Sequence, residues 1–450
     1  MTSVTLNSLN DVLAYIQNDP PPSQLAQNLR AFVKRDVGET ILASVNSEGH
    51  DPLNLLHPQT HSLGLLFILS ARLAGAEPNV SFEYIATFCS TFAPFPTRYA
   101  PERVSLLARA IAYIAETHQN HSLAIGPLKT LLARYPPSAA YLTTIHCTFL
   151  RTCLKAECWS HALPVLSVPL TEVDRNLSDV TYLDNLTYQY LGGVILTVLK
   201  RYEEAEEFFE NAASVPGIAV SAVQLEALKK LSLVQLILYG KTKSLPKYAS
   251  SALPRLFKQT PYQLLVKNFP GSIVGLSVIL EKEAAIFIAD GNVGLIKQVI
   301  HHAPRWIVRK LTDTYTTLSL EEISKAIGTD VKKSKTAPAI EEATLLILGM
   351  IERDEIHATI SPSTSGNPAA ATVTFRDPPP PKYFDPVVLE RILADAQMQS
   401  AQLGMDDRML GKSKAYIFKA VKDREYGSGM QYDELEGGMG EVGVYGEWDP

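Results

Sequence analysis

Cysteine is scarce in this chain, apolar runs are short, and neither sign of charge is in marked excess. The four cysteines among 450 residues (Cys89, Cys147, Cys153, Cys158) include no Cys-x-x-Cys pair. That excludes a disulfide-stapled fold and reads as reduced, mostly buried thiols. The longest apolar stretch, Leu63 to Ala71, stops at Arg72, well short of the roughly 18 residues that a membrane span needs. No signal peptide is expected, because the first basic residue is Arg30 and Asp11 lies inside the N-terminal stretch. The glycosylation-type triplets at Asn79, Asn120, Asn176 and Asn185 therefore read as chance. Net charge is −6, and six acids but no Lys or Arg fall between Gly427 and the end, so the remainder balances at 41 acids against 41 bases. A balanced body has no global pull toward nucleic acid or an anionic membrane.

Catalytic motifs are missing as well. The ten histidines form no His-Glu-x-x-His, so a metalloprotease helix has no ligands. His57 and His61 are four apart, but Pro58 opposes a shared helix face, and His301 and His302 are adjacent and diverge on a helix. Cys153, Cys158 and His161 lie in a helix–turn–helix unit whose own packing accounts for buried thiols. Gly411-Lys412-Ser413 resembles the end of a phosphate loop, yet six residues separate it from the upstream Gly404 where the motif has four. There is no Gly-x-Ser-x-Gly elbow. No catalytic, cofactor-binding or metal-binding residue is nominated. The chain reads as a non-enzyme with no small-molecule substrate and no cofactor.

What is present is helical patterning over a length that suits two or three domains. Hydrophobic residues make up 46% and the mean hydropathy is +0.03, enough to build large cores. Residues 1–300 read as an all-helical array. Leu191, Ile195, Val198 and Tyr202 fall on one helical face, and Ala227, Leu231, Val234 and Leu238 on another that Gly240 closes. Small or apolar residues opening helices at Ala124, Ala162, Ala205 and Leu245 recur at intervals close to 40 residues. This predicts degenerate tetratricopeptide-like helix pairs stacked as a solenoid, each covering its neighbour's apolar face.

The pattern changes over 301–376. Ile307, Leu311, Tyr315 and Leu318 read as one helix face. Ser319 and Glu322 form a capping box that opens a short helix with Ile323 and Ile327 inward and Gly328 closing it. A basic loop (Lys332, Lys333, Lys335) follows, and then Pro338 starts a helix whose apolar face carries Ile340, Ala343, Ile347 and Met350. Ile356, Ala358 and Ile360, then Val373 and Phe375, alternate with polar residues as a two-stranded wing, with a Ser-, Pro- and Gly-rich tip between them. Three helices and a wing describe a winged helix. Residues 377–384 read as a Pro-rich linker and 385–426 as C-terminal assembly helices, the first an amphipathic segment to about Leu403 carrying Val388, Leu389, Ile392, Leu393 and Ala396. The 427–450 stretch reads as a disordered acidic, Gly-rich tail.

Winged helices often bind DNA, but here the helix that would enter the groove carries Glu341, Glu342 and Glu352 against Arg353 alone. The sign is wrong for a dense line of phosphates. The plan as a whole, a helical-repeat array running into a winged helix and ending in helices, resembles the PCI family of proteasome-lid, signalosome and initiation-factor subunits. Thr317-Leu318-Ser319-Leu320, Ile323, Met350-Ile351, Asp354, Ile356, Ala358, Val373 and Phe375 carry that resemblance. Finer stretches resemble the family of third subunits of the COP-nine (constitutive photomorphogenesis-nine) signalosome: Leu142-Thr143, Ile145-His146, Gly192-Gly193, Ala219-Val220-Ser221, Glu226-Ala227, Lys229-Lys230, Leu245 to Tyr248, Asn292, Gly294-Leu295, Lys297-Gln298 and Arg309 to Thr312. The longer basic loop, the proline spacer and the acidic tail depart from it.

The resemblance implies a non-catalytic scaffold in the cytoplasm and nucleus. Its partners would be other signalosome subunits, subunits one and eight as neighbours, and indirectly cullin-RING ligases, from whose cullins another subunit's metal centre removes NEDD-eight. It further implies edge-to-edge winged-helix contacts and bundled C-terminal helices. Ile356, Ala358, Ile360, Val373, Phe375, Val388, Ile392, Leu393 and Ala396 are thus the candidate interface. The alternatives are a scaffold of the proteasome lid or of translation initiation factor three, and, more distantly, a winged-helix nucleic-acid regulator.

Overall fold

The computed structural model describes residues 6, 8–35, 37–45, 50–75, 80–217, 219–328, 336–361, 371–377, 386–414, 416–419 and 421. The expected basic loop, hairpin tip, most of the proline spacer, much of the second C-terminal helix and the acidic tail lie outside them. The chain divides into two units, Met1–Phe375 and Arg376–Pro450.

The first unit is mainly helical. Its longer helices are α1 (Ser62–Ala74), α2 (Pro101–Thr117), α3 (Ser122–Arg134), α4 (Thr144–Lys155), α5 (Tyr182–Val198), α6 (Tyr202–Ser214), α7 (Ala222–Tyr239) and α8 (Val293–Thr312). Each packs on the next in the series, as a solenoid requires. Ala124, Ala162 and Ala205 are all fully buried, as expected of helix-opening contact positions. Leu245, by contrast, lies in a loop, half-buried against the array. Pro246 follows it and disfavours helical backbone at the preceding residue.

The tightest joint is α5 against α6. A Cβ on Gly192 would come within 2.6 Å of the Phe208 ring, and one on Gly193 within 2.7 Å of Phe209. Two glycines therefore let two aromatic rings seat directly on the α5 backbone. The expected face from Leu191 to Tyr202 does not continue through. α5 ends at Val198, Lys200 turns at φ +59°, and Tyr202 begins α6. Gly240 ends α7 in the left-handed region at φ +69°, and a Cβ there would meet the Trp306 ring at 2.5 Å. Trp306 of α8 also donates from its indole Nε1 to the Ile237 carbonyl at 3.1 Å.

A buried polar cluster ties α7 to the turn that precedes α8. Lys229 donates to Glu226 at 2.6 Å and to Asp290 at 2.9 Å, and Tyr262 donates to Asp290 at 2.9 Å. Asn292 donates to the Tyr262 hydroxyl at 2.7 Å and accepts from Lys230. Burial lowers the pKa of the Lys230 ammonium, with Glu226 and Asp290 opposing. Such a cluster costs desolvation and gives back geometric definition.

α8 crosses the boundary expected at residue 300 without interruption. Its first half, to Ala303, belongs to the core of the helical array, and from Val308 it belongs to a second core that continues to Phe375. Pro304 sits inside the helix between the two. The second core is completed by β1 (Thr317–Ser319), α9 (Leu320–Ile327), α10 (Thr336–Glu352), β2 (Ala358–Ser361) and β3 (Thr372–Phe375). Ser319 caps α9 reciprocally with Glu322, and Gly328 closes it at φ +79°. Ile323, Ile327, Ile340, Ala343, Ile347 and Met350 all point into this core. α10 starts at Thr336, two residues before Pro338.

The wing differs from expectation. Among the described residues the sheet has three strands, in the order β1-β3-β2, all antiparallel. α8 ends at Thr312, so Tyr315 is exposed and Leu318 belongs to β1 rather than to a helix face. The physical reason is the β-branched Thr316 and Thr317 beside a strand that offers partners, since Phe375 N–H donates to the Thr316 carbonyl at 2.8 Å.

Candidate assembly interface

Among the described residues, the register settles which backbone groups of the wing lack a ladder partner. The bonds from Phe375 N–H to Thr316 and from Leu320 N–H to the Ala371 carbonyl, with Leu318 opposite Val373, make 371, 373 and 375 the residues of β3 that bond toward β1. In an antiparallel ladder bonding residues alternate, so Thr372 and Thr374 bond toward β2. Their partners there are Ser361 and Thr359. Ala358 and Ile360 consequently turn their N–H and C=O groups outward, on the open side of β2. Their side chains lean inward, half-buried, while Thr359 and Ser361 are exposed.

Ile356, Val373 and Phe375 are buried in the winged-helix core. These three candidate residues thus support the strand from behind, and the surface offered to a neighbour is the Ala358–Ile360 backbone. An open strand edge is a template for another strand.

Sequence reasoning missed the clamp that holds this edge in place. Between α10 and β2 the chain turns at Asp354 with φ +55°, a conformation that Asp tolerates, and Glu355 N–H bonds back to the Met350 carbonyl at 2.9 Å. The Glu355 carboxylate accepts two bonds from the Arg305 guanidinium of α8, the one from Nε at 3.1 Å, and another from Arg353 Nε at 2.6 Å. Burial alone would raise the pKa of Glu355, but hydrogen bonds from Arg305 and Arg353 outweigh it and hold the carboxyl below its ordinary value. Arg305 and Glu355 are 50 positions apart with no motif linking them, so no pattern announces the pair.

In the second unit the described helix α11 spans Pro386–Lys412, longer than the expected run to Leu403. At 27 residues it extends about 40 Å. None of its residues is buried: Val388, Leu389, Ile392 and Leu393 are exposed, as are Ala396 and Leu403. The extra length adds Leu410, so Leu389, Ala396, Leu403 and Leu410 recur seven apart along one side, the spacing of helices that bundle.

Among the described residues no group of three or more His, Cys, Asp or Glu is placed to hold a metal ion. Burial pushes the thiols of Cys89, Cys147 and Cys153 up to about 12, so these are inert packing groups. No helix of the described chain is long and apolar enough to cross a membrane.

A helical-repeat array merging into a winged helix through one shared helix defines the PCI class, and the PCI-domain model matches residues 277–365. Residues 24–253 match the model described as COP9 signalosome complex subunit 3, N-terminal helical repeats. The chain belongs to the COP9 signalosome subunit 3 family. It is 28% identical over 393 residues to the COP9 signalosome complex subunit 3 of Dictyostelium discoideum, covering 85% of this chain and 90% of that one. To the COP9 signalosome complex subunit 3 of Arabidopsis thaliana it is 29% identical over 397 residues, covering 85% and 87%.

Proposed function

We propose that this chain is a non-catalytic scaffold of the signalosome, joining neighbouring subunits through the β2 edge and the α11 stripe. In the cytoplasm and nucleus it thereby supports removal of NEDD-eight from the cullins of cullin-RING ligases by the assembled complex. The observation that carries the reading is the outward-facing backbone of Ala358 and Ile360 on a strand whose two inward side chains pack half-buried against the winged-helix core. Such an edge gains hydrogen bonds when a second strand adds to it. Family membership supports signalosome subunits as the partners, with subunits one and eight as the expected neighbours.

The test is a native pull-down of the full chain followed by mass spectrometry, together with metal analysis and a deneddylation assay on the isolated subunit. Signalosome subunits, including one and eight, should be recovered, and the isolated subunit should lack both activity and stoichiometric metal. Recovery of proteasome-lid or initiation-factor members instead would place the chain in a different particle.

A further inference from the structure

A second surface belongs to the helical array and shares no residue with the wing. Between α1 and α2 the segment Ala93–Tyr99 displays two aromatic rings to solvent: Phe95 is 63% exposed and Tyr99 40%. They meet edge to face, with centroids 5.8 Å apart and planes at 87°. The segment is held firmly. Ala93 N–H bonds to Ser62 Oγ at 2.8 Å, the buried Thr97 hydroxyl bonds to the Pro94 carbonyl at 2.7 Å, and Arg30 donates to the Tyr99 carbonyl at 2.6 Å. Local polar contacts thus fix two large apolar rings where water meets them, so their exposure is built into the fold.

The rings border an open cleft of about 570 Å³, whose walls also include Arg98, Pro101, Pro137 and Arg175. Its charge is net positive, with Arg98 and Arg175 facing a single wall carboxylate, Asp174. Arg30 is neutralised by Glu102 through contacts of 2.6 and 2.9 Å. Arg98 spends Nε on the Tyr135 carbonyl, a neutral acceptor, at 3.1 Å. Arg175 has no hydrogen-bond or ion-pair partner among the described residues. The nearby Asp174 carboxylate instead accepts from the Asn176 amide at 2.8 Å. Guanidinium groups with open donors suit carboxylates, and Tyr, Phe and Arg are the residue types that dominate binding energy at protein contacts.

From this charge complementarity we infer that the cleft docks a short, extended acidic segment of a partner protein, its carboxylates on Arg98 and Arg175 and an apolar side chain on Phe95 and Tyr99. Nucleic acid fits less well, because the walls carry no lysine and only Arg98 and Arg175 have donors to spare, too few cations to track a phosphate backbone.

The test uses the full chain and a fluorescein-labelled peptide, Gly-Asp-Glu-Phe-Asp-Glu-Gly, against an analogue with Asn and Gln in place of the acids. The acidic peptide should bind at least about tenfold tighter than the analogue and weaken with salt. Phe95→Ser and Arg175→Glu, both at exposed positions, should each weaken it by about tenfold with unchanged circular dichroism. A wing variant such as Ala358→Pro should bind as the wild type does, which separates this surface from the assembly edge. Equal binding of peptide and analogue would overturn the inference, as would unaltered affinity in both cleft variants. So would displacement by millimolar inorganic phosphate that is the same with and without Phe95, which would mean a simple anion site. Self-association lost with Phe95→Ser would identify a second copy as the occupant, contrary to the proposal.

Discussion

Replacing Ala358 by proline tests the proposed assembly role of the β2 edge separately from the stability of the fold. The Ala358 N–H points away from β3, so the isolated chain loses no ladder bond, and the half-buried methyl is roughly preserved in the pyrrolidine ring. Proline is tolerated at such an edge position, and the cost to the free subunit should stay within about 1 kcal/mol. In the assembly the loss is larger. A strand added to β2 exchanges two hydrogen bonds across Ala358 if it pairs there; proline removes one donor and leaves the opposing carbonyl buried and unpaired. One net hydrogen bond plus one unsatisfied acceptor amounts to about 2–4 kcal/mol, or roughly thirty- to several-hundred-fold in affinity. Thr359→Pro is the matched control, because Thr359 bonds inward to Thr374 and its loss should destabilise the subunit itself by about 1–3 kcal/mol. Incorporation would be read by size-exclusion and quantitative pull-down, and stability by thermal melts. The reasoning fails if Ala358→Pro assembles like the wild type, or if the two variants lower the melting midpoint alike.

Removing everything from Asp385 onward should leave the first unit folded by circular dichroism and weaken assembly, whereas truncation at Gly427 should change little; the opposite ranking in pull-downs would reassign the C-terminal roles. Gly240→Ala places a Cβ 2.5 Å from the Trp306 ring at φ +69°, so it should destabilise by more than about 2 kcal/mol and shift the tryptophan emission on melting curves. His146 is buried, and burial lowers its pKa from 6.5 to about 4 despite a contact with Thr143 that opposes the shift. Its Nδ1 accepts the Thr143 amide at 3.1 Å to cap α4. The unfolded imidazole takes up a proton near pH 6.5 while the folded one resists until about 4, so this contribution is present above that window and is lost as pH falls through it. The wild type should lose up to about 3 kcal/mol more than His146→Asn between pH 7 and 4, measured by urea unfolding at each pH; parallel pH profiles would refute it.

Much of this architecture was legible where local chemistry decides it. The Ser319–Glu322 box, the Gly240 and Gly328 caps and the inward face from Ile340 to Met350 all depend on residues within a few positions of one another. Reading failed where a distant partner overrode local pattern. Leu318 has helical spacing with Ile307 and Leu311, yet β3, more than 50 residues later, draws it into a strand. The break at Lys200 was invisible because lysine gives no hint of a left-handed turn. The candidate interface divided similarly. Alternation located the β2 and β3 segments, but only the bonding register distinguishes side chains that anchor the wing from backbone that faces outward. Gly192, Gly193, Lys229, Lys230 and Asn292 entered as family-like residues without a physical reason. Close ring contacts and a shared polar cluster supply one.

The passage of α8 from one core to the other has a mechanical consequence. A 20-residue helix clamped at both ends behaves as a beam, and load applied at the wing, through β2, Glu355 and Arg305, reaches the repeat array along it. Pro304 lies at the handover from the first core to the second, beside Arg305 held by Glu355 and Trp306 held by the Ile237 carbonyl, and it lacks the amide that would bond back one turn. The missing ladder bond lowers bending stiffness at that turn. Misfit between neighbours in a closed particle would be absorbed as flexure there, leaving the packed cores on either side undistorted.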